Sequence, residues 1–264
     1  MDSNEVRREW AERSGEYSPA YYAYYGADDR SESVRAILER FVDREATVLE
    51  LGCSSGRHLS HLSEHGFENL AGIELNGDAF EVMAETYPEL AARGTFYHDA
   101  IEAVVDDFED GQFDAVYSVE TLQHVHPDAE WVFAELGRIT DDLLITVENE
   151  GEDAPDGGVA GTMDEGGNER AAQSGGDGGN ERASLSGGDG GNARAAQSGG
   201  EPGRPSPTEP AVTYVDDDVP LYHRDWNRVF TEVGLVEVDA REGERDTVRA
   251  FRSRKIGPSA DRGG

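Results

Sequence analysis

The chain has 264 residues, 56 of them acidic and 23 basic, for a formal net charge of −33, and it has one cysteine, Cys53. The length allows one domain of ordinary size plus extra sequence, and a lone cysteine excludes an intrachain disulfide and a cysteine-rich metal site. No stretch approaches the ~18 apolar residues of a membrane span, and no basic track of the kind nucleic-acid enzymes need is visible.

The acids are spread along the chain rather than blocked. Removing residues 151–210 takes away 11 acids and 4 bases, so the remainder is still about 26 charges negative. Only one base is a lysine, Lys255. Such a charge repels itself in low salt and is screened when the Debye length falls to ~3 Å near 1 M. The composition therefore reads as halophilic, with an acidic binder of cations or basic partners as the alternative. The polar start, Met1-Asp2-Ser3-Asn4-Glu5, does not read as a secretory signal. A reduced, soluble, cytoplasmic setting is expected.

In chain order, the spacing first predicts three helices. Glu5 to Arg13 carries Val6 and Trp10 at i, i+4. Ser18-Pro19 opens a turn of helix with Tyr21, Tyr22, Tyr24 and Tyr25, stopped by Gly26. Asp29 or Ser31 caps an amphipathic helix whose face holds Val34, Ile37, Leu38, Phe41 and Val42. Val48, Leu49 and Leu51 then read as a buried strand. It breaks into Gly52-Cys53-Ser54-Ser55-Gly56, small residues that let the backbone turn tightly and approach a ligand. A helix follows from Arg57 to Glu64. Asn69 to Ile73 gives a second strand with Glu74 at its end, where an acid can take both hydroxyls of a ribose. Thr95-Phe96-Tyr97, Gln112 to Ser118 and Leu143 to Glu148 read as strands three to five. Trp226 to Gly234 reads as a helix, and 235–238 with 247–251 as a closing antiparallel pair.

A dinucleotide fold would want Gly-x-Gly-x-x-Gly. Laid over Gly52, that pattern fails at Ser54 and at Arg57, where the third glycine lets helix and strand pack closely. The pattern present is acid-x-Gly-x-small-x-Gly, starting at Glu50. With the acidic loop His98-Asp99-Ala100 and the segment Leu122-Gln123-His124-Val125-His126-Pro127, it resembles the class I S-adenosylmethionine-dependent methyltransferases, small-molecule type. The resemblance covers roughly 45–150 and 221–253; Ser54 departs from it, since many members carry glycine there.

That resemblance implies an α/β three-layer, Rossmann-like sandwich with a mostly parallel seven-stranded sheet and an antiparallel last pair. It implies S-adenosylmethionine as cofactor, lined by Glu50, Gly52, Cys53, Ser54, Gly56 and Ser118. Glu74 would bind the ribose and Asp99 would sit near the adenine amine. It also implies that an amino-terminal helix folds over the cofactor as a lid. His124, past the fourth strand, is the candidate base if the acceptor needs one, against a role in holding its loop. His126, the triplet His58, His61 and His65, and Glu148-Asn149-Glu150 are further clusters. The triplet invites a metal reading, which Leu59 and Leu62 beside it disfavour, so no metal site is expected.

The expected organisation is a helical segment over 1–44, a cofactor-binding core over 45–150, an insertion over 151–211, closing elements over 212–254 and a tail over 255–264. Within the insertion, residues 166–201 repeat a 12-residue unit three times (GGNERAAQSGGD, GGNERASLSGGD, GGNARAAQSGGE). These units have no apolar face to stack, so they read as a flexible loop rather than a solenoid. The expected activity is methyl transfer to a small molecule. Alternatives are a protein or RNA acceptor, or a protein that binds S-adenosylmethionine without turnover. A segment like Asn/Asp-Pro-Pro-Tyr is absent after the fourth strand, where Ser118-Val119-Glu120-Thr121 stands. That disfavours base or glutamine amino groups as acceptors. Nothing in the sequence speaks to oligomeric state.

Overall fold

A computed structural model describes residues 1–150, 210–215, 219–243 and 246–254. The three repeats and the tail over 255–264 lie outside the described residues. Three amino-terminal helices come first: Ser3–Ala11 (α1), Pro19–Tyr25 (α2) and Asp29–Phe41 (α3). Each starts where a side chain can accept orphan helix N–H groups. Asp2 and Glu5 form a capping box on α1, and Ser18 caps α2 with Pro19 at the first position. The cap of α3 is Asp28, one residue before the expected Asp29. Ser31 reaches back to it as the third helical residue, so both serine and aspartate act, in a reciprocal pair.

The sheet strands are Thr47–Leu51 (β1), Asn69–Glu74 (β2), Thr95–His98 (β3), Phe113–Val119 (β4) and Thr140–Glu148 (β5). Two further strands, Ala211–Val215 (β6) and Val219–His223 (β7), form a separate antiparallel hairpin. Val236–Glu242 (β8) and Thr247–Arg252 (β9) close the main sheet. Its order is β3-β2-β1-β4-β5-β9-β8. The first five strands run parallel, and β9 is antiparallel to both β5 and β8. This is the expected doubly wound sheet. The strand order reverses between β1 and β4, and in such sheets a crevice opens outside the carboxyl ends of the strands at that point.

Side chains alternate across each strand, which splits the interior into two cores. On one face Val48, Leu70, Tyr117 and Ile145 pack with Ile37 and Leu38 of α3 and with Leu59 and Leu62 of Arg57–Glu64 (α4). On the other, Leu49, Ile73, Val116 and Phe251 pack with Leu136 and Trp226. Those last two belong to Trp131–Ile139 (α8) and Trp226–Glu232 (α9). Between α4 and α8 in the chain, Asp78–Thr86 (α5), Pro88–Arg93 (α6) and the short Ile101–Val104 (α7) complete the layers. Helices α5, α6 and α8 and the hairpin were not expected from the sequence.

Candidate cofactor and acceptor site

The turn after β1 packs three left-handed residues into five: Gly52 at φ +66°, Ser54 at φ +47° and Gly56 at φ +81°. Glycine is required at position 52 twice over. The dihedral favours it, and a Cβ there would lie 2.4 Å from Thr121 Oγ1. Thr121 follows β4, so this glycine lets the two switch-point strands close on one another. Ser54 takes the left-handed conformation without that freedom, at a cost of roughly 1–2 kcal/mol. Its N–H is held 2.8 Å from Glu74 Oε2, the acid at the end of β2.

Cys53 does not present its side chain to this crevice. Its thiol is buried in the core, where a Cβ on Gly72 would lie 2.5 Å from Sγ. Burial pushes the thiol pKa well up. The reason is geometric: Cys53 N–H bonds Ile73 O at 2.9 Å, which turns the side chain under β2. Only its backbone borders the turn.

Glu74 is the hub of the β2 end. Oε2 accepts from Ser54 N and Oε1 accepts from Asn76 N at 2.7 Å. Burial pushes its pKa up against the pull of these donors. The Leu75 N–H adds to these backbone donors, so only part of the acceptor capacity of the carboxylate remains. Asp99, at the end of β3, is exposed, and its Oδ1 accepts from Ala100 N at 2.8 Å. Glu50 lies opposite Tyr117 in the β1–β4 register and is 1% exposed. Its Oε2 lacks a hydrogen-bond partner among the described residues, and burial raises its pKa well above the usual carboxylate range. It is a buried acid two residues before the glycine turn, with the Tyr117 hydroxyl against it.

Ser118 belongs to a different assembly. Its hydroxyl donates to Glu148 Oε1. The same carboxylate accepts from the N–H groups of Thr121 at 3.1 Å, Leu122 at 3.0 Å and Gln123 at 3.3 Å. Glu148 is fully buried and is pushed up to about 7 by burial. The Ser118 side chain is thus committed away from a cofactor. The expected acidic cluster at the end of β5 is likewise structural: Glu150 pairs bidentately with Arg249, and Asn149 O accepts from Trp226 Nε1. One buried carboxylate here buttresses the 3-10 turn Leu122–His124 that carries the candidate histidine.

The amino-terminal helices lie across this edge. Asn76 Nδ2 donates to Arg13 O at 3.1 Å and to Trp10 O at 3.4 Å. The Trp10 ring packs tilted against that of His124, with centroids 4.5 Å apart. His124 Nδ1 lies 3.3 Å from Pro220 O of the hairpin, and burial lowers its pKa to about 4. Donation to that carbonyl places the proton on Nδ1 and leaves Nε2 a lone pair, though a weakly basic one. Arg57, at the start of α4, bonds Asp28 Oδ2 and Gly26 O and lies over the Tyr22 ring. Of the four clustered tyrosines, Tyr24 and Tyr25 are exposed, while Tyr21 and Tyr22 are half-buried. His58 is bonded to Ser31 Oγ at 2.7 Å, whereas His61 faces Glu32. Among the described residues no group of three or more His, Cys, Asp or Glu is gathered to hold a metal ion. Asn76 had no part in the sequence reading, and Trp10 and Thr121 were read there without a role at the site. Asn76-Gly77 after a strand is a turn signal, and it was the only local clue.

A glycine turn after β1, an acid at the end of the neighbouring strand β2 and the doubly wound sheet define a Rossmann-like fold. Residues 48–142 match the family model of the methyltransferase domain. No curated protein matches the chain. Among solved structures, it is similar to the Burkholderia thailandensis 1,6-didemethyltoxoflavin-N1-methyltransferase at 14% identity. That match has a TM-score of 0.53 and covers 85% of this chain and 76% of that one. A putative S-adenosylmethionine-dependent methyltransferase from Listeria monocytogenes matches at 16% identity and TM-score 0.53, over 86% and 100% of the two chains. A protein from Pyrococcus horikoshii OT3 matches at 13% and 0.53, over 93% and 95%. The matched domain and the fold are those of an S-adenosylmethionine-dependent methyltransferase. The fold, the enzyme class and the cofactor expected from the sequence all hold. Among the described residues, no helix is long and apolar enough to cross a membrane.

Proposed function

We propose that this enzyme methylates a small molecule bound beneath its own amino-terminal helices. The observation that carries the reading is the roof over the switch-point crevice. Asn76 ties α1 to the end of β2, Trp10 packs against His124 beyond β4, and Arg57 ties the α2–α3 turn to α4. These contacts leave a compact acceptor to be enclosed by one chain, and they stand in the way of a folded protein surface or a nucleic-acid duplex. In keeping with this, the Burkholderia neighbour is described with 1,6-didemethyltoxoflavin bound.

The residues present fit the cofactor. The acceptor capacity left on Glu74 suits ribose hydroxyls, and Gly52, Ser54 and Gly56 offer close backbone approach to the methionine part. Asp99 stands at the end of β3 for the adenine amine. Glu50, two residues before the turn, keeps a buried acceptor there. S-adenosylmethionine supplies the methyl group on a sulfonium centre. The chain's own work is to position the acceptor, a term worth up to ~7–11 kcal/mol in well-oriented cases, and to keep water out. His124, neutral and covered by Trp10, acts mainly by shaping the acceptor wall. The tests are calorimetric titration with S-adenosylmethionine and with NAD at high KCl, then release of S-adenosylhomocysteine with fractionated extract. Micromolar binding of the first cofactor alone, with turnover on the small-molecule fraction, is expected. Methyl transfer confined to the macromolecular fraction would overturn the acceptor assignment.

A further inference from the structure

We propose that Asn76 is a positioning residue that couples ribose binding at Glu74 to closure of α1 over the acceptor wall. The inference rests on the cofactor assignment above and goes beyond it. Asn76 is 4% exposed, and every hydrogen-bonding group of its side chain is engaged. Its Oδ1 accepts from Asp78 N at 3.0 Å, which fixes the start of α5. Its Nδ2 donates to Arg13 O and Trp10 O. Its own N–H is on Glu74 Oε1 at 2.7 Å. One residue therefore touches both the ribose acid and the end of α1.

The end of a helix is where such a bolt has leverage. The last carbonyls of α1 have no further helical turn to bond; Trp10 O accepts from the Arg13 N–H at 3.3 Å and takes Asn76 Nδ2 as a second donor. Trp10, whose carbonyl Asn76 holds, is also the residue whose ring covers His124. When the Glu74 carboxylate is fixed by ribose hydroxyls, the Asn76 N–H is fixed with it. The amide side chain then stays aimed at α1 and Trp10 stays on His124. With Glu74 free to move, the turn 75–77 and the docking of α1 loosen together. Linkage makes this reciprocal: the factor by which bound cofactor favours the closed α1 equals the factor by which opening the bolt weakens the cofactor.

The test is amide hydrogen exchange of the full-length chain at high KCl, with and without S-adenosylhomocysteine, on wild type, Asn76→Asp and Asn76→Ala. Asn76→Asp keeps the acceptor for Asp78 N but turns the donor into an acceptor facing two carbonyls; Asn76→Ala removes the bonds without adding charge. In wild type, the ligand is expected to slow exchange over residues 5–17. In both variants, saturating ligand should leave those amides at their ligand-free rate while still protecting 52–56. The dissociation constant should rise about tenfold, within the usual span of coupling between linked sites. Protection of 5–17 in the variants equal to wild type would overturn the coupling, as would wild type that binds the ligand without protecting 5–17. Should both variants fail to fold by circular dichroism, the wild-type comparison alone still decides. Failure of folded wild type to bind the ligand at all would instead overturn the cofactor assignment, and this proposal with it.

Discussion

Two acids end strands β2 and β5 of this sheet, on either side of the switch point, and they do opposite things. Glu74, the last residue of β2, accepts from the backbone N–H groups of Ser54, Leu75 and Asn76 and keeps some acceptor capacity in hand. Glu148, at the end of β5, accepts four donors and is saturated. The first can still take a ligand; the second is a strut for the turn that carries His124. Both are acids at the carboxyl edge of a parallel sheet, so position alone does not separate them. The hydrogen bonds already made do.

The largest expected effect comes from removing the strut. Glu148→Ala leaves three N–H groups and a hydroxyl short of an acceptor, each costing roughly 1–3 kcal/mol if it stays buried. Chemical denaturation should show a loss of several kcal/mol, while the molecules that remain folded keep their cofactor affinity. A loss of affinity at unchanged stability would reverse the comparison.

Next is the ligand acid. Glu74→Ala should weaken S-adenosylmethionine by about 100-fold in calorimetry, since two bonds to a charged acceptor are worth roughly 1.5–3 kcal/mol each. The melting point should fall by only a few degrees. Unchanged affinity would remove the ribose assignment.

The same two halves of the site differ in pH response. Glu148 has its pKa raised in the folded state to about 7. Its contribution is present below the ordinary carboxylate pKa of about 4.3 and is lost as pH rises through 7. His58, lowered to about 3 by burial, has the opposite sign. Its contribution is present above the ordinary histidine value of about 6.5 and is lost as pH falls toward 3. Denaturation midpoints should thus be flatter from pH 4.5 to 7 in Glu148→Gln and flatter from pH 6.5 to 4 in His58→Gln. Identical slopes in wild type and variants would contradict both environments.

Gly52→Ala tests the seam where the halves meet. A Cβ 2.4 Å from Thr121 Oγ1, on a left-handed residue, should cost about 1–3 kcal/mol, and pairing it with Thr121→Ala, which removes Oγ1, should recover part. No recovery would mean that the dihedral, not the contact, sets the cost. The smallest expected effect is at His124. As a wall residue rather than a base, His124→Asn should lower turnover less than about tenfold, against the 10²–10⁴ of a lost general base. A loss of a thousandfold would make it the base.

What the sequence determined by itself was the sheet and the cofactor turn. Strand runs such as Val48 to Leu51, small residues from Gly52 to Gly56 and an acid at position 74 are local signals, because backbone freedom and strand burial are properties of neighbouring residues. The expected roles of the site residues at 118 and 53 could not be separated in that way. Ser118 and Cys53 sit beside the turn in sequence, yet one hydroxyl is spent on an acid thirty residues later and one thiol points under β2. The helices α5, α6 and α8 and the β6–β7 hairpin went unread because their own periodicity is short; packing against the sheet, not propensity, stabilises such pieces. The roof was decided only by tertiary structure. Whether Trp10 meets His124, and whether Asn76 reaches the end of α1, depends on where the fold brings residues 66 and 114 positions apart. Hydrogen-bond partners, unlike strand patterns, are not written next to one another in the chain.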